Sequence, residues 1–142
     1  MIRRVASVLT GMLLVEMFLL VRSICAFSPY NLARLNIINS CSYCDLTNAD
    51  LTGADLSHAN LTGAALNRAT LAGANLISAN LSATTLIQAN LKNANLTGAN
   101  LKDADLFGAN LSGASLADAD LSNAVWIDGK RCKGGSIGSC SR

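Results

Sequence analysis

The spacing of leucine is the sequence feature that most constrains the fold. A leucine occupies every fifth position from Leu46 to Leu121 without a miss, and Trp126 takes the next place. On an α-helix each step of five turns about 140° beyond a full turn, so the leucines would spiral around the axis. On a straight strand an odd spacing sends alternate side chains to opposite faces. The leucines can therefore share one direction only if the chain turns a corner within every repeat.

The residues between the leucines extend this pattern. Alanine stands two places before each leucine except at Cys44 and Thr84, and the position between them is mostly Asp or Asn. We predict that each repeat forms one side of a closed coil and that coils stack into an all-β solenoid, with Leu and Ala inside. Glycine recurs at the second position after leucine, where it suits a tight turn. These glycines are Gly53, Gly63, Gly73, Gly98, Gly108 and Gly113.

The exceptions to the pattern help decide between three and four sides per coil. A spacing of twenty collects three bulky outward residues, Ile87, Phe107 and Ile127, into one column, whereas a spacing of fifteen scatters them. This alignment favours four repeats per coil. The same spacing predicts an inward core ladder and, on another side, a column of side-chain amides that bond from coil to coil. The core ladder comprises Leu46, Leu66, Leu86, Leu106 and Trp126, and the amide column comprises Asn60, Asn80, Asn100 and Asp120.

The repeat closely resembles the pentapeptide repeat family over residues 44–126. The resemblance implies a right-handed quadrilateral β-helix of about four coils with Leu and Ala inside. At about 4.8 Å per coil, such a rod would be roughly 20 Å long. Some members of the family imitate duplex DNA and bind type II topoisomerases such as gyrase, which supplies one alternative for the function of this chain.

Residues 1–26 have the character of an export segment. Arg3 and Arg4 precede an apolar run from Val5 to Val21, and cleavage after Ala26 or Ser23 is acceptable. The segment predicts a cleaved signal peptide, and the alternative is an uncleaved membrane anchor through residues 5–21. A lipoprotein site at Cys25 fits poorly. We therefore expect an exported protein, periplasmic or secreted, that touches a membrane only if the segment is retained.

The remaining four cysteines lie in pairs at the two ends of the repeats: Cys41 with Cys44, and Cys132 with Cys140. An even number of cysteines suits an oxidising compartment. The CxxC at Cys41 could also be a redox or metal motif, but no βαβ pattern follows it and the second pair is too distant to share a zinc ion. We predict a disulfide at each end.

Both ends of the repeats are expected to be capped, since an open solenoid end exposes leucines and a strand edge. Residues 27–43 predict an N-terminal capping helix that begins at Ser28-Pro29. Its apolar face would comprise Tyr30, Leu32, Leu35 and Ile38. This helix followed by CxxC resembles the start of many bacterial pentapeptide proteins.

Residues 127–142 predict a C-terminal cap or tail. The ending Trp-x-Asp-Gly…Cys…Gly-Ser-Ile-Gly-x-Cys, which starts at Trp126, again resembles members of this family. The tail is also basic, so it is either a solvated loop or a docking site for an anionic partner. Its cations are Lys130, Arg131, Lys133 and Arg142.

The sequence carries no recognisable catalytic arrangement. His58, the single histidine, falls on a corner with no serine or cysteine placed for activation by it. The repeat itself dictates most aspartates, including Asp45, Asp50 and Asp55. We therefore predict no catalytic residue, no metal, no cofactor and no enzymatic activity.

Three functions remain open. The first is a structural or protein-interaction module that uses Ile87, Phe107 and Ile127 to bind an unknown protein partner or a second copy. The second is gyrase binding by DNA mimicry, which needs an acidic rod, although residues 27–142 hold eight basic and eight acidic residues and no nucleic-acid partner is expected. The third is a surface or ligand binder on a flat face. The face in question carries Thr62, Ser82, Lys102 and Ser122.

Overall fold

The structure, a computed structural model, describes residues 29–142. The export segment predicted at residues 1–26 lies outside the described residues. Helix α1 (Pro29–Ile38) comes first, and a stack of short β-bridges and turns follows it. Each repeat contributes a single bridged residue to the sheet, so the sides of the coil are very short strands. Within residues 29–142, no helix has the length and apolar character needed to cross a membrane.

The bridge pattern gives the size of one coil. Every parallel bridge joins residues twenty apart, from Ser40↔Asn60 to Asp105↔Val125, so four five-residue repeats make one turn of the solenoid. The bridged residues define four sides, which we call A to D. Side A holds Asp45, Ala65, Thr85, Asp105 and Val125; side B holds Asp50, Thr70, Asn90 and Asn110; side C holds Asp55, Asn75, Asn95 and Ser115; side D holds Ser40, Asn60, Asn80, Asn100 and Asp120.

The leucines and alanines of the repeats fill the interior of the coils. Fourteen of the sixteen repeat leucines are at most 3% exposed, and the exceptions are Leu111 and Leu116 in the last coil. Thr84 takes the place of an inward alanine. Its buried hydroxyl has a hydrogen-bond partner because it donates to the carbonyl of Leu81 over 2.7 Å. In the core ladder the four leucines are fully buried and Trp126 is half-buried against them.

The corners require a left-handed backbone at the second residue after each leucine. Glycine adopts it at Gly53 (φ 64°) and Gly63 (φ 65°), but non-glycine residues such as Arg68 and Gln88 adopt it too, with φ near 58°. At each corner the alanine N–H bonds back to the preceding leucine carbonyl, for example Ala69 to Leu66 over 3.1 Å. The coil geometry therefore imposes positive φ even where the sequence has a side chain.

Changing Gly63 to alanine should destabilise the protein more than changing Gly53 to alanine. Both changes place a side chain at positive φ, which costs about 1–2 kcal/mol. At Gly63 the new Cβ would also lie 2.5 Å from the ring of Tyr43, whereas at Gly53 nothing lies within 4 Å. Since Tyr43 is 80% exposed and its ring can move aside, we expect an extra loss of about 1 kcal/mol in urea unfolding. The extra loss should disappear in a Tyr43→Ala background.

Helix α1 packs onto the first coil. Leu35 is 2% exposed, and the Asn31 side-chain amide donates to the Asp45 carbonyl over 3.1 Å. The predicted apolar face is wrong at Ile38, which is 56% exposed because the chain is already leaving the helix to enter the coil. The side chains of Tyr30 and Leu32 lie outside the described residues.

The two cysteine pairs lie at opposite ends of the stack, and each is bonded. Cys41 and Cys44 form a disulfide with Cα atoms 5.3 Å apart, and both are buried on the first coil. Cys132 and Cys140 form the second, with Cα atoms 5.1 Å apart.

The tail adds a final, incomplete layer to the stack. It doubles back over the last coil through two antiparallel bridges, Asp120↔Ile137 and Val125↔Arg131. It therefore covers sides D and A and leaves the last coil unlayered on sides B and C within residues 29–142.

Candidate functional site

Three apolar side chains form an outward column on side A, which we call the apolar stripe (Ile87, Phe107, Ile127). The Gln88 N–H donates to the Phe107 carbonyl over 2.9 Å, and the Gly108 N–H donates to the Ile127 carbonyl over 3.0 Å. These bonds place the three side chains above one another on successive layers. Phe107 is 49% exposed, Ile127 is 39% exposed, and Ile87 is half-buried.

The lower end of the stripe borders a shallow surface groove of about 350 Å³. Its floor is fixed by the Asn67 side-chain oxygen, which accepts a bond from the Ile87 N–H over 3.2 Å. One rim carries Arg68, whose Nε donates to the Gln88 side-chain oxygen over 3.1 Å. Thr47 completes the lining. The groove therefore combines an aliphatic side chain with a cation that an acidic group on a partner can approach.

The upper end of the stripe is braced by the tail. A Cβ placed on Gly129 would lie 3.4 Å from the Phe107 ring, so the ring rests against the glycine backbone. The Phe107 N–H is held by the Asp105 carboxylate over 3.0 Å. Phe107 thus presents one face of its ring from a fixed backbone, which makes it the centre of the stripe.

The outward carboxylates serve the turns of the coil. The Ser57 hydroxyl and N–H donate to Asp55 over 2.8 and 3.2 Å, and they lower the pKa of that carboxyl. Ser122, and secondarily Lys102 at 3.1 Å, lower the pKa of Asp120. Both groups are ionised at neutral pH, and their hydrogen bonds to neighbouring repeat residues hold the turns.

The remaining polar candidates are distributed over the surface. His58 stands exposed on a corner with φ 58°. No group of three or more His, Cys, Asp or Glu residues within the described part of the chain could hold a metal ion. In the tail, Arg142 pairs with Asp128 at 2.7 Å, and Arg131 donates to the Asn123 carbonyl over 2.7 Å. Two of the four tail cations are thus engaged within the molecule.

The hydroxyls of the flat face on side D are engaged locally. The Thr62 hydroxyl donates to the Asn60 side chain over 2.8 Å, and the Ser82 hydroxyl donates to Asn80 over 2.8 Å. In the amide column itself, one bond crosses between coils, from Asn100 to Asn80 over 3.3 Å. The predicted ladder of amides is therefore realised at one step, because the side-chain oxygens mostly accept the N–H two residues ahead.

The groove residues Arg68 and Gln88 are absent from the sequence-based set of candidate sites. Their positions differ by twenty, so the spacing that aligned the apolar stripe also aligns them on a corner. The twenty-residue spacing was visible in the sequence, but an arginine and a glutamine at successive corners do not form a recognisable binding motif. Only the distance between Arg68 and Gln88 turns the two into a groove wall.

Comparison with solved structures places the fold among known proteins. A pentapeptide repeat protein from Nostoc is 36% identical, with a TM-score of 0.61 over 66% of this chain and 78% of its own. One from the Arabidopsis thaliana thylakoid lumen is 27% identical, with a TM-score of 0.51 over 70% of this chain and 79% of its own. QnrB1, a plasmid-mediated fluoroquinolone resistance protein, is 25% identical, with a TM-score of 0.55 over 60% of this chain and 46% of its own.

None of the curated proteins compared with this chain matches it. The family model for pentapeptide repeats matches it in eight copies, over residues 40–76, 74–113 and 104–125. These ranges are the coils of the structure, from side D of the first coil to side A of the last. By its repeats and by the β-helix they build, the chain belongs to the pentapeptide repeat family.

Proposed function

We propose that this protein is an exported, non-catalytic interaction module that binds a protein partner through the apolar stripe. The observation that carries the proposal is the exposure of Phe107 and Ile127, at 49% and 39%, in one column of an otherwise mostly polar surface. Contiguous exposed apolar side chains on a soluble domain mark a contact site. The inward residues have no part in this role because they are packed.

The stripe has the physical character of a binding surface. Ile87 and Phe107 project from a backbone that is hydrogen-bonded to the layers on either side, so little conformational entropy is lost on binding. An aromatic ring at the centre and the Arg68 guanidinium at the edge resemble the anchors that dominate protein interfaces. The fitting partner is a protein segment with an apolar side chain for Phe107 and a carboxylate near Arg68.

The charge of the repeats favours this function over gyrase binding by DNA mimicry. Residues 45–126 carry seven aspartates against Arg68, Lys92 and Lys102, and Lys102 pairs with Asp120. A surface that imitates duplex DNA must present a dense negative field. Inhibition of gyrase supercoiling at stoichiometric amounts of this protein would instead favour mimicry.

Export is supported by the disulfides. Cys41–Cys44 and Cys132–Cys140 join every cysteine of the described residues, and disulfides persist in oxidising compartments. The export segment predicted at residues 1–26 agrees with such a compartment. Fractionation of the producing cell decides between a released protein and one that keeps its anchor.

Replacing Ile87 and Phe107 by lysine should abolish partner capture. The two charges would lie in the desolvated centre of the contact, where losing an anchor costs about 2 kcal/mol or more, so retention should fall at least tenfold. The readout is a pull-down from the compartment where fractionation finds the protein, with retained proteins quantified by mass spectrometry. Light scattering on the same samples reports self-association.

The matched control replaces Thr52 and Ala72 by lysine. These residues form the equivalent outward column of side B, where Lys92 already occurs, so the charge is tolerated there. The control should retain the same proteins as the unmodified chain. If the Ile87 and Phe107 double variant also retains them, the stripe is not the binding surface.

A further inference from the structure

Side A carries a projecting ring and a groove whose positions are related. The Phe107 ring is 49% exposed and rests against the Gly129 backbone. The groove of about 350 Å³ has the volume of a small ligand pocket, and Asn67 forms its floor. Ile87 lies midway between the two, one coil below Phe107 and one coil above Asn67. The ring and the groove are therefore equally far from Ile87, in opposite directions along the stack.

We propose that the partner of the apolar stripe is a second copy of this chain, packed side by side and antiparallel, so that Phe107 of each copy enters the groove of the other. The inference rests on the proposed function of the stripe and specifies its partner. A two-fold axis that crosses the stripe at Ile87, along the strand direction of side A, generates the arrangement. It sets Ile87 against Ile87 of the second copy and Phe107 against Asn67, because the last two lie one coil from the axis.

The Arg68 guanidinium of each copy gains two partners in this arrangement. The Phe107 ring of the second copy lies beside it, and an arginine over an aromatic face gains cation–π attraction. Asp128 of the second copy, whose side chain is 37% exposed, comes to face Asn48, one coil from Arg68 in the same corner column. The Arg68 side chain spans one coil, as its bond to Gln88 demonstrates. A second copy thus supplies both the apolar group and the carboxylate that fit the stripe.

The acidic residues of side A meet neutral residues in the same register. The rotation sets Asp105 opposite Ala65 of the second copy, and Asp45 opposite its Val125. A parallel pairing would instead set ring against ring and groove against groove, so both grooves would stay empty. The antiparallel register is therefore the one that fills both grooves, and it keeps the carboxylates of side A apart.

The size of the contact predicts how tightly two copies associate. From Thr47 to Ile127 the column spans about 20 Å, and a width of three residues is about 10 Å. Such a contact is smaller than the roughly 800 Å² per partner of a standard interface. Because the two-fold contact uses the same patch on both copies, each ring and groove occurs twice in it. We expect weak dimers whose population rises with protein concentration.

Cysteine cross-linking of the full chain tests the two-fold axis. Thr85 lies on side A at the level of Ile87, so it faces Thr85 of the second copy. Since packed sheets lie about 10 Å apart, a short bismaleimide should join two Thr85→Cys chains. The matched control is Thr70→Cys, a half-buried threonine at the equivalent bridged position of side B. Mass spectrometry identifies the linked peptides, and linkage at residue 85 no greater than at residue 70 would overturn the proposal.

Removing the groove cation tests the contact without changing the stripe. Arg68→Ala and Lys92→Ala each remove one exposed cation, but Lys92 lies on side B. In sedimentation velocity of the purified chain alone, the unmodified chain and Lys92→Ala should approach twice the monomer mass as concentration rises. Arg68→Ala should weaken the dimer, and the double lysine variant of Ile87 and Phe107 should need at least about tenfold higher concentration to associate. Dimers that persist unchanged in both variants would use another surface and would overturn the proposal.

The identity of the partner and the role of the stripe fail in different experiments. Dimers that depend on Phe107 and Arg68 in the purified chain support both. A purified chain that stays monomeric and gives no linkage above the control would overturn the second copy as the partner. Capture of other proteins that is lost in the Ile87 and Phe107 double variant would, in that case, still support the proposed function.

Discussion

Replacing Leu91 by alanine should lower the free energy of unfolding by about 3–4 kcal/mol, and the same change at Leu111 should cost less than half as much. Both leucines lie on side B, one coil apart, and occupy the same place in the repeat. Leu91 is 0% exposed between layers, so truncation leaves a cavity. Leu111 is half-buried in the last coil, where no further layer within residues 29–142 covers side B and water already reaches part of the side chain.

The cavity at Leu91 cannot collapse easily because the backbone around it is fixed. The Leu91 N–H bonds to the Asn110 carbonyl over 2.8 Å and the Asn90 N–H bonds to the Ala69 carbonyl over 2.9 Å, so both neighbouring layers hold the position. In such a core, residual cavity volume adds to the lost transfer free energy.

Urea unfolding followed by circular dichroism measures both losses. Equal losses for the two variants would show that the last coil is closed on side B, contrary to the structure.

The leucine period alone predicts the family and the inward direction of the core because one rule places every repeat. Leu46, Leu66 and Leu86 are fully buried as that rule requires. The rule states which way a side chain points, but not whether another layer lies above it. Leu111 obeys the same pattern as Leu91 and is nevertheless half-buried, because no layer within residues 29–142 covers it on its side.

The ends of the chain are less predictable for the same reason. Beyond Trp126 the period stops, and a glycine-rich stretch gives no signal for the antiparallel pairing of Ile137 with Asp120. At the other end, the spacing of Leu35 and Ile38 suggests a shared helical face, yet Ile38 is exposed where the helix ends. The groove beside Ile87 likewise depends on a contact between two long side chains, which sequence spacing does not specify.

Removing the Cys132–Cys140 disulfide by changing both cysteines to serine should release the tail and destabilise this end by about 2–3 kcal/mol, since the bond closes a short loop. The tail has little core of its own: Cys132 and Ser136 are its buried residues, and the rest is held to the last coil by hydrogen bonds such as the Trp126 N–H to the Lys130 carbonyl. Without the cross-link, the loop must be ordered by these contacts alone.

Trp126 and the neighbouring amides report the release of the tail. Trp126 is the single tryptophan and lies half-buried beside the tail, so its fluorescence should shift to the red in the variant. The amides of Leu121 and Trp126, which bond to tail carbonyls, should exchange faster, while that of Leu101, which bonds to Asp120, should not change. Serine at Cys41 and Cys44 is the matched control, because that disulfide lies at the far end and its loss should leave Trp126 unaffected. Unchanged exchange at Leu121 and Trp126 would mean that backbone pairing alone fixes the tail.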